Sequence, residues 1–262
     1  MKKIFSFLTL TALIVFASCS KENIVSTDND VVAPGSEQIL TVQGHPYEVS
    51  KSQVKNIKKS SRSVMISLNG GDPGFSMDDI QFWAGTGTNK AAMVIEWHDG
   101  KTSDALVWGY KWNGTAYGFD MIREIVKADP RLIFLTHMTG PMGNTIAGLG
   151  YNINQTGAHY LIYDEDSTNP HYPIDGIVVT NAYNYDNWRY SDPADHWRSG
   201  WYQGYWSYWV KDSKEEEWQY SNWGASSREL VNGSWDGWSY LDDMSIWTGR
   251  PLGNKFTPAA LN

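Results

Sequence analysis

The sequence predicts an α+β domain: a β-grasp-like mixed sheet with one main helix and an aromatic-rich loop insertion. An all-β fold is the alternative. Three observations favour the first. Residues 91–98 and 104–112 are β-prone and flank Asp99-Gly100, a dipeptide typical of hairpin turns. Residues 119–128 carry apolar side chains at helical spacing. Aromatic-rich strand patterns follow from residue 204, which gives the order hairpin, helix, strands.

The first hairpin and the helix have the clearest local signals. On the second strand, alternation places four side chains on one face, namely Leu106, Trp108, Tyr110 and Trp112. The helix carries an apolar stripe and stops at Asp129-Pro130, because a proline disfavours helical geometry in the residue before it.

The middle of the chain is harder to assign. Strands are expected at 132–135 and 159–163, with a glycine-spaced segment at 143–150 between them. Residues 167–199 contain three prolines and are predicted to form a long, irregular loop.

The C-terminal part predicts a second hairpin and a closing strand. The segments 205–210 and 218–223 flank a charged turn at 211–217, and 235–240 forms the closing strand. Trp206 and Tyr208 then face one way and their neighbours the other. One face fills the core, and the long loop covers the other or leaves it to bind something.

Composition excludes several classes of protein. The chain has 262 residues and a formal net charge of −8, which argues against nucleic-acid binding because phosphates attract basic patches. A single cysteine excludes an intramolecular disulfide framework.

The N-terminus has the pattern of a lipoprotein signal. Residues 1–18 combine two lysines with a short apolar run and small residues before Cys19, the predicted lipidation site. The alternative is a plain secretory signal. We expect a lipidated tether over 19–63 and a ligand-binding domain over 64–262, attached to the membrane by lipid alone. The charged stretch after Cys19 resembles a surface-export signal of lipoproteins, which favours the exterior of the outer membrane.

No pattern for catalysis or for metal binding emerges. The six histidines lack the spacing of a metal motif, and no nucleophile elbow or phosphate loop is present. Residues 164–166 and the pair Asp192 and Asp195 are acidic, but they lack the spacing of a calcium loop. We therefore expect a protein that is not an enzyme, with no metal and no cofactor of its own.

Aromatic residues are the anomaly of this chain, with nine tryptophans between 188 and 238. Such rings fill cores, or they bind flat ligands such as sugars and corrins. The predicted ligand-binding group comprises Tyr183, Tyr185, Trp188, Arg189, Tyr190, Trp197, Trp201 and Tyr202. A second group comprises Trp108, Tyr110 and Trp112.

Two stretches, 94–132 and 204–240, carry a family resemblance. Their motifs W-G-Y-x-W-x-G and W-D-G-W-S resemble those of bacterial cell-surface proteins associated with cobalamin uptake. The order of segments is more weakly similar to the C-terminal β-domain of transcobalamin-like proteins. The resemblance implies a lipoprotein that captures cobalamin and delivers it to a TonB-dependent transporter. Because the loop at 167–203 has no counterpart in that domain, no contact residue is carried over. A glycan-binding module and a structural partner of an outer-membrane complex remain alternatives.

Overall fold

The structure is a computed structural model, which describes residues 72, 74–140, 143–155, 157, 159–221, 223–243, 249–253 and 255–261. The predicted signal peptide, Cys19 and the tether lie outside the described residues. No helix among the described residues has the length and apolar character needed to cross a membrane.

The described part of the chain is largely β, with one α helix. The strands are β1 (Trp83–Gly85), β2 (Asn89–Glu96), β3 (Ala105–Trp112), β4 (Leu132–Gly140), β5 (Gly143–Tyr151), β6 (Leu161–Tyr163), β7 (Pro170–His171), β8 (Ile177–Val179), β9 (Trp188–Tyr190), β10 (His196–Ser199), β11 (Tyr205–Lys211), β12 (Gln219–Tyr220), β13 (Trp235–Leu241) and β14 (Thr257–Pro258). The helix α1 spans Gly118–Ala128.

The largest sheet is mixed and has the strand order β1-β3-β2-β13-β11-β12, with β14 also paired to β3. Strands β2 and β3 form the predicted antiparallel hairpin, in which Asn89 lies opposite Trp112. The last long strand, β13, lies parallel to β2, so the first and last long strands are neighbours at the centre. Strand β11 then pairs antiparallel with β13.

Alternation along these strands gives the main sheet two apolar faces, and both are covered. The predicted face of β3 packs toward α1 together with Trp206 and Tyr208, so that prediction is confirmed. Tyr205 and Trp209 point the other way. That second face is covered by residues near the two ends of the described chain, among them Phe75 and Phe256, and not by the long loop.

An acidic side chain stabilises each end of helix α1. The carboxylate of Asp120 accepts the backbone N–H of Tyr117 at 3.0 Å and caps the first turn. The predicted stripe, Met121, Ile122, Ile125 and Val126, is buried against the main sheet. Asp129 ends the helix and forms a buried, bidentate ion pair with Arg131.

Residues 132–203 form an insertion between α1 and β11, and it is more ordered than predicted. A four-stranded sheet has the order β10-β5-β4-β8, and a three-stranded sheet has the order β7-β6-β9. The expectation of an irregular loop at 167–199 was therefore wrong, because four short strands lie within it. One face of the four-stranded sheet packs toward α1, and the other carries a separate aromatic core.

Candidate ligand-binding surface

The second predicted group, on β3, lies in the core. Trp108 is fully buried, and its indole N–H donates to Asp129 Oδ2 at 2.9 Å. Tyr110 and Trp112 are also buried, and their rings stack with centroids 5.6 Å apart. In this structure the three side chains stabilise the sheet and its contact with α1, and they present no open surface.

Most predicted aromatics of the insertion also pack inward. Tyr185, Trp188, Tyr190 and Trp201 are buried together in the insertion core, with Trp197 partly buried beside them. The Trp197 indole N–H donates to the carbonyl oxygen of Trp188 at 2.7 Å.

The glycine spacing seen in the sequence belongs to this packing. A Cβ at Gly148 or Gly150 would lie 2.7 or 2.8 Å from the Trp197 ring. The two glycines let the indole lie directly on the backbone of β5. They mark a site of close packing and not a phosphate loop.

Two predicted aromatic residues remain well exposed, and we call them the tyrosine shelf: Tyr183, 60% exposed, and Tyr202, 50% exposed. The Tyr183 ring lies 4.5 Å from the ring of buried His137 and 6.2 Å from that of Tyr185. Tyr185 in turn meets Trp201 edge to face at 5.7 Å. The shelf therefore has a buried aromatic foundation.

Polar contacts hold this foundation in place. The Asp186 carboxylate accepts backbone N–H groups from three successive residues, among them Tyr202 at 3.0 Å and Gln203 at 2.9 Å. His137 Nδ1 lies 2.7 Å from the Tyr185 hydroxyl, and burial raises the pKa of that hydroxyl well above its usual range. Neither His137 nor Asp186 was predicted. Both lie far along the chain from at least one residue that they hold, and no local sequence pattern indicates such contacts.

Exposed charged and amide groups lie on the same insertion. Arg189 Nε donates to Asp164 Oδ1 at 2.8 Å, and Asn184 Nδ2 donates to Glu165 Oε1 at 2.8 Å. Two of the acids weighed as calcium ligands thus bind cationic or amide groups. Because these pairs are exposed to water, they contribute little to stability, and a ligand could replace one partner at a low cost in free energy.

A potential metal-ligand cluster forms where the β2–β3 turn meets β10. Asp99, Asp104 and His196 offer ligand atoms that lie within 4.8 Å of one another. Burial alone would raise the pKa of Asp99, but the hydrogen bonds and charges of His196 and Lys101 together outweigh burial and lower this pKa to about 2. No local sequence pattern indicates this cluster, because His196 lies far along the chain from Asp99 and Asp104 and belongs to no motif.

A second polar group, Glu96, His98 and Ser239, contains the residue types of a catalytic triad without the geometry. His98 Nε2 lies 2.9 Å from Ser239 Oγ, and the same nitrogen lies 3.4 Å from Glu96 Oε1. A triad needs the acid on the other ring nitrogen and an accessible nucleophile. Ser239 is fully buried. These three residues therefore form a buried polar contact.

Comparisons of the chain with protein-family models, with curated proteins and with solved structures found no match.

Proposed function

We propose that this chain is a non-enzymatic lipoprotein of the outer membrane that binds cobalamin or a related corrinoid at the tyrosine shelf. It would then pass the ligand to a TonB-dependent transporter. The observation that carries the proposal is the pair of exposed tyrosines: the Tyr183 ring lies against buried His137, and the backbone of Tyr202 is held by Asp186. A rigid exposed aromatic binds a flat ligand at a low cost in conformational entropy.

The chemistry of a corrinoid suits such a surface. Its flat macrocycle offers an apolar face to the tyrosine rings, while its peripheral amides need hydrogen-bonding partners. The tyrosine hydroxyls, Asn184 and Arg189 are groups of that kind on the insertion. Because this binding mode involves no proton transfer, we expect affinity to depend little on pH.

We also propose a β-grasp classification for the main sheet. The order of the long strands and helix along the chain, and the parallel pairing of the first and last long strands, β2 and β13, support it. In this view residues 132–203 decorate a β-grasp core between its helix and its third strand. The weaker similarity to the transcobalamin β-domain rests on the same order.

A second candidate is glycan binding by the same shelf. Exposed tyrosines near carboxylate and amide groups suit sugars, whose C–H faces stack on rings and whose hydroxyls bind polar side chains. The pair Asn184 and Glu165 is the observation that favours it.

Calorimetric titration of the full-length protein with cyanocobalamin, followed in parallel by tryptophan fluorescence, tests the proposal. We expect saturable 1:1 binding at micromolar concentration or below. The variant Tyr183→Ala/Tyr202→Ala should weaken it by about tenfold or more. Trp223→Ala is the matched control, because Trp223 is 63% exposed and lies outside the insertion.

Four outcomes would contradict the corrinoid proposal, the first three in its ligand and the last in its site. If cyanocobalamin produces neither binding heat nor quenching of the tryptophan fluorescence, the corrinoid proposal is refuted. Binding of a soluble polysaccharide that the double variant abolishes would favour the glycan alternative. Co-purification with an outer-membrane receptor that no ligand alters would favour a structural role. Equal weakening by Trp223→Ala would move the site away from the shelf.

A further inference from the structure

The cluster at the β2–β3 turn has the geometry of a metal site. His196 Nδ1 lies 3.0 Å from both carboxylate oxygens of Asp99. One ligand atom from each of Asp99, Asp104 and His196 lies within 4.8 Å of the other two. Ligands on one tetrahedral or octahedral ion are roughly 3–4 Å apart when each metal–ligand bond is about 2.0–2.2 Å, so a small inward movement of these side chains would bring them around one ion.

The histidine is oriented as metal-binding histidines are. His196 is fully buried, and its ring stacks on Trp97 with centroids 4.5 Å apart and planes 11° apart. Its Nε2 lies 3.0 Å from the carbonyl oxygen of Thr102. In metal sites the nitrogen that does not bind the ion commonly donates to such a carbonyl, which directs the other nitrogen at the metal. Here the other nitrogen points at the carboxylates.

A cation already lies against this cluster. Lys101 Nζ is 3.5 Å from Asp99 Oδ2, and the same ammonium donates to the carbonyl oxygen of Asp195. The position therefore attracts positive charge. The Lys101 side chain is 30% exposed, so it can turn into solvent when another cation takes its place.

We propose that Asp99, Asp104 and His196 bind a divalent transition-metal ion, with zinc as the ion to test. One imidazole nitrogen with two carboxylates is a donor set that zinc accepts, whereas calcium and magnesium prefer oxygen ligands alone. Three protein ligands leave a coordination position for water. The ion would join the β2–β3 turn of the main sheet to β10 of the insertion. This inference is independent of the proposed corrinoid site.

The test is calorimetric titration of chelator-treated, full-length protein with zinc chloride, supported by the visible absorption of added Co²⁺. Asp104→Asn is the informative variant, because its amide oxygen can still accept the Asp99 N–H that Asp104 Oδ1 accepts at 3.2 Å. We expect at least about a tenfold loss of zinc affinity. Lys101→Gln should tighten binding severalfold, since it removes the competing ammonium. Asp192→Asn, an acid just before β10 and outside the cluster, is the matched control.

Saturating zinc should also raise the melting temperature by roughly 5 °C in the native chain, and by much less in Asp104→Asn. The proposal is overturned if no saturable binding occurs below about 100 μM zinc, or if Asp104→Asn and Asp192→Asn bind zinc equally well. If circular dichroism shows that Asp104→Asn does not fold, Lys101→Gln decides. Tighter binding supports the cluster, and unchanged binding refutes it.

Discussion

A buried carboxyl in the main sheet should make stability depend on pH. Asp236 on β13 is fully buried and accepts the Tyr208 hydroxyl, while Arg228 Nε lies 3.6 Å from its other oxygen. Burial raises the pKa of Asp236 from 3.8 to about 6. The folded state thus holds this proton more tightly than the unfolded state. Its contribution to stability is greatest below pH 3.8 and is lost as the pH rises through 6. At 1.36 kcal/mol per pH unit, the loss is about 3 kcal/mol.

The perturbation is Asp236→Asn, which keeps an oxygen for the Tyr208 hydroxyl and removes the titration. Urea unfolding of both proteins at pH 4 and pH 7 gives the difference in their free energies of unfolding. We expect this difference to move by about 2 kcal/mol in favour of the variant between the two pH values, which is less than the full 3 kcal/mol because the carboxyl in the unfolded chain is already partly ionised at pH 4. The other groups at this position are Tyr208 and Arg228, whose pKa values are raised, and Asp212, which is about half exposed.

Asp212→Asn is the matched control, because it removes an exposed partner of Arg228. Its free energy of unfolding relative to the native chain should change far less between pH 4 and pH 7. The reasoning fails if the difference in free energy of unfolding between Asp236→Asn and the native chain stays constant with pH. It also fails if that difference moves against the variant at pH 7.

Three further substitutions test the packing that positions the shelf and the core. Trp108→Phe removes the indole N–H bound to Asp129 and leaves a small cavity, so urea unfolding should show a loss of about 2–3 kcal/mol. Gly118→Ala should destabilise by about 1–3 kcal/mol by the same assay, although alanine favours helices, because its Cβ would lie 2.5 Å from the Tyr208 hydroxyl. Asp186→Ala should cost about 2–3 kcal/mol in thermal or urea unfolding and weaken any ligand of the shelf, since three backbone N–H groups lose their acceptor. An unchanged unfolding midpoint in any of the three would contradict the contact it tests.

The elements that the sequence predicted correctly have strong local signals. The β2–β3 hairpin combines alternation with a turn dipeptide, and α1 combines an apolar stripe with a proline stop. The glycine-spaced segment 143–150 was not predicted as a strand, yet β5 spans Gly143–Tyr151. Its glycines lower strand propensity locally, but pairing with β4 and β10 forms the strand, and the glycines leave room for an indole from a distant part of the chain.

The error in the insertion has the same physical origin. Strands β7 to β10 are two to four residues long, too short for periodicity to appear. Each exists because a partner strand from elsewhere pairs with it, as β10 pairs with β5. Prolines in such a stretch indicate breaks between short strands as readily as they indicate an irregular loop.

The position of an aromatic residue relative to the strands separates packing from binding better than aromatic content does. The main sheet is covered on both faces, so an aromatic on its long strands is buried whichever way it points. Among the described residues, the exposed aromatic side chains are Tyr117, Tyr172, Tyr183, Tyr202 and Trp223. All five lie in connections between strands and helices. A connection leaves one side of its residues toward water, and a buried foundation such as that of the shelf can then hold the ring still. Candidate contacts with a ligand are therefore the aromatics of connections that a buried network supports, and Tyr183 and Tyr202 meet both conditions.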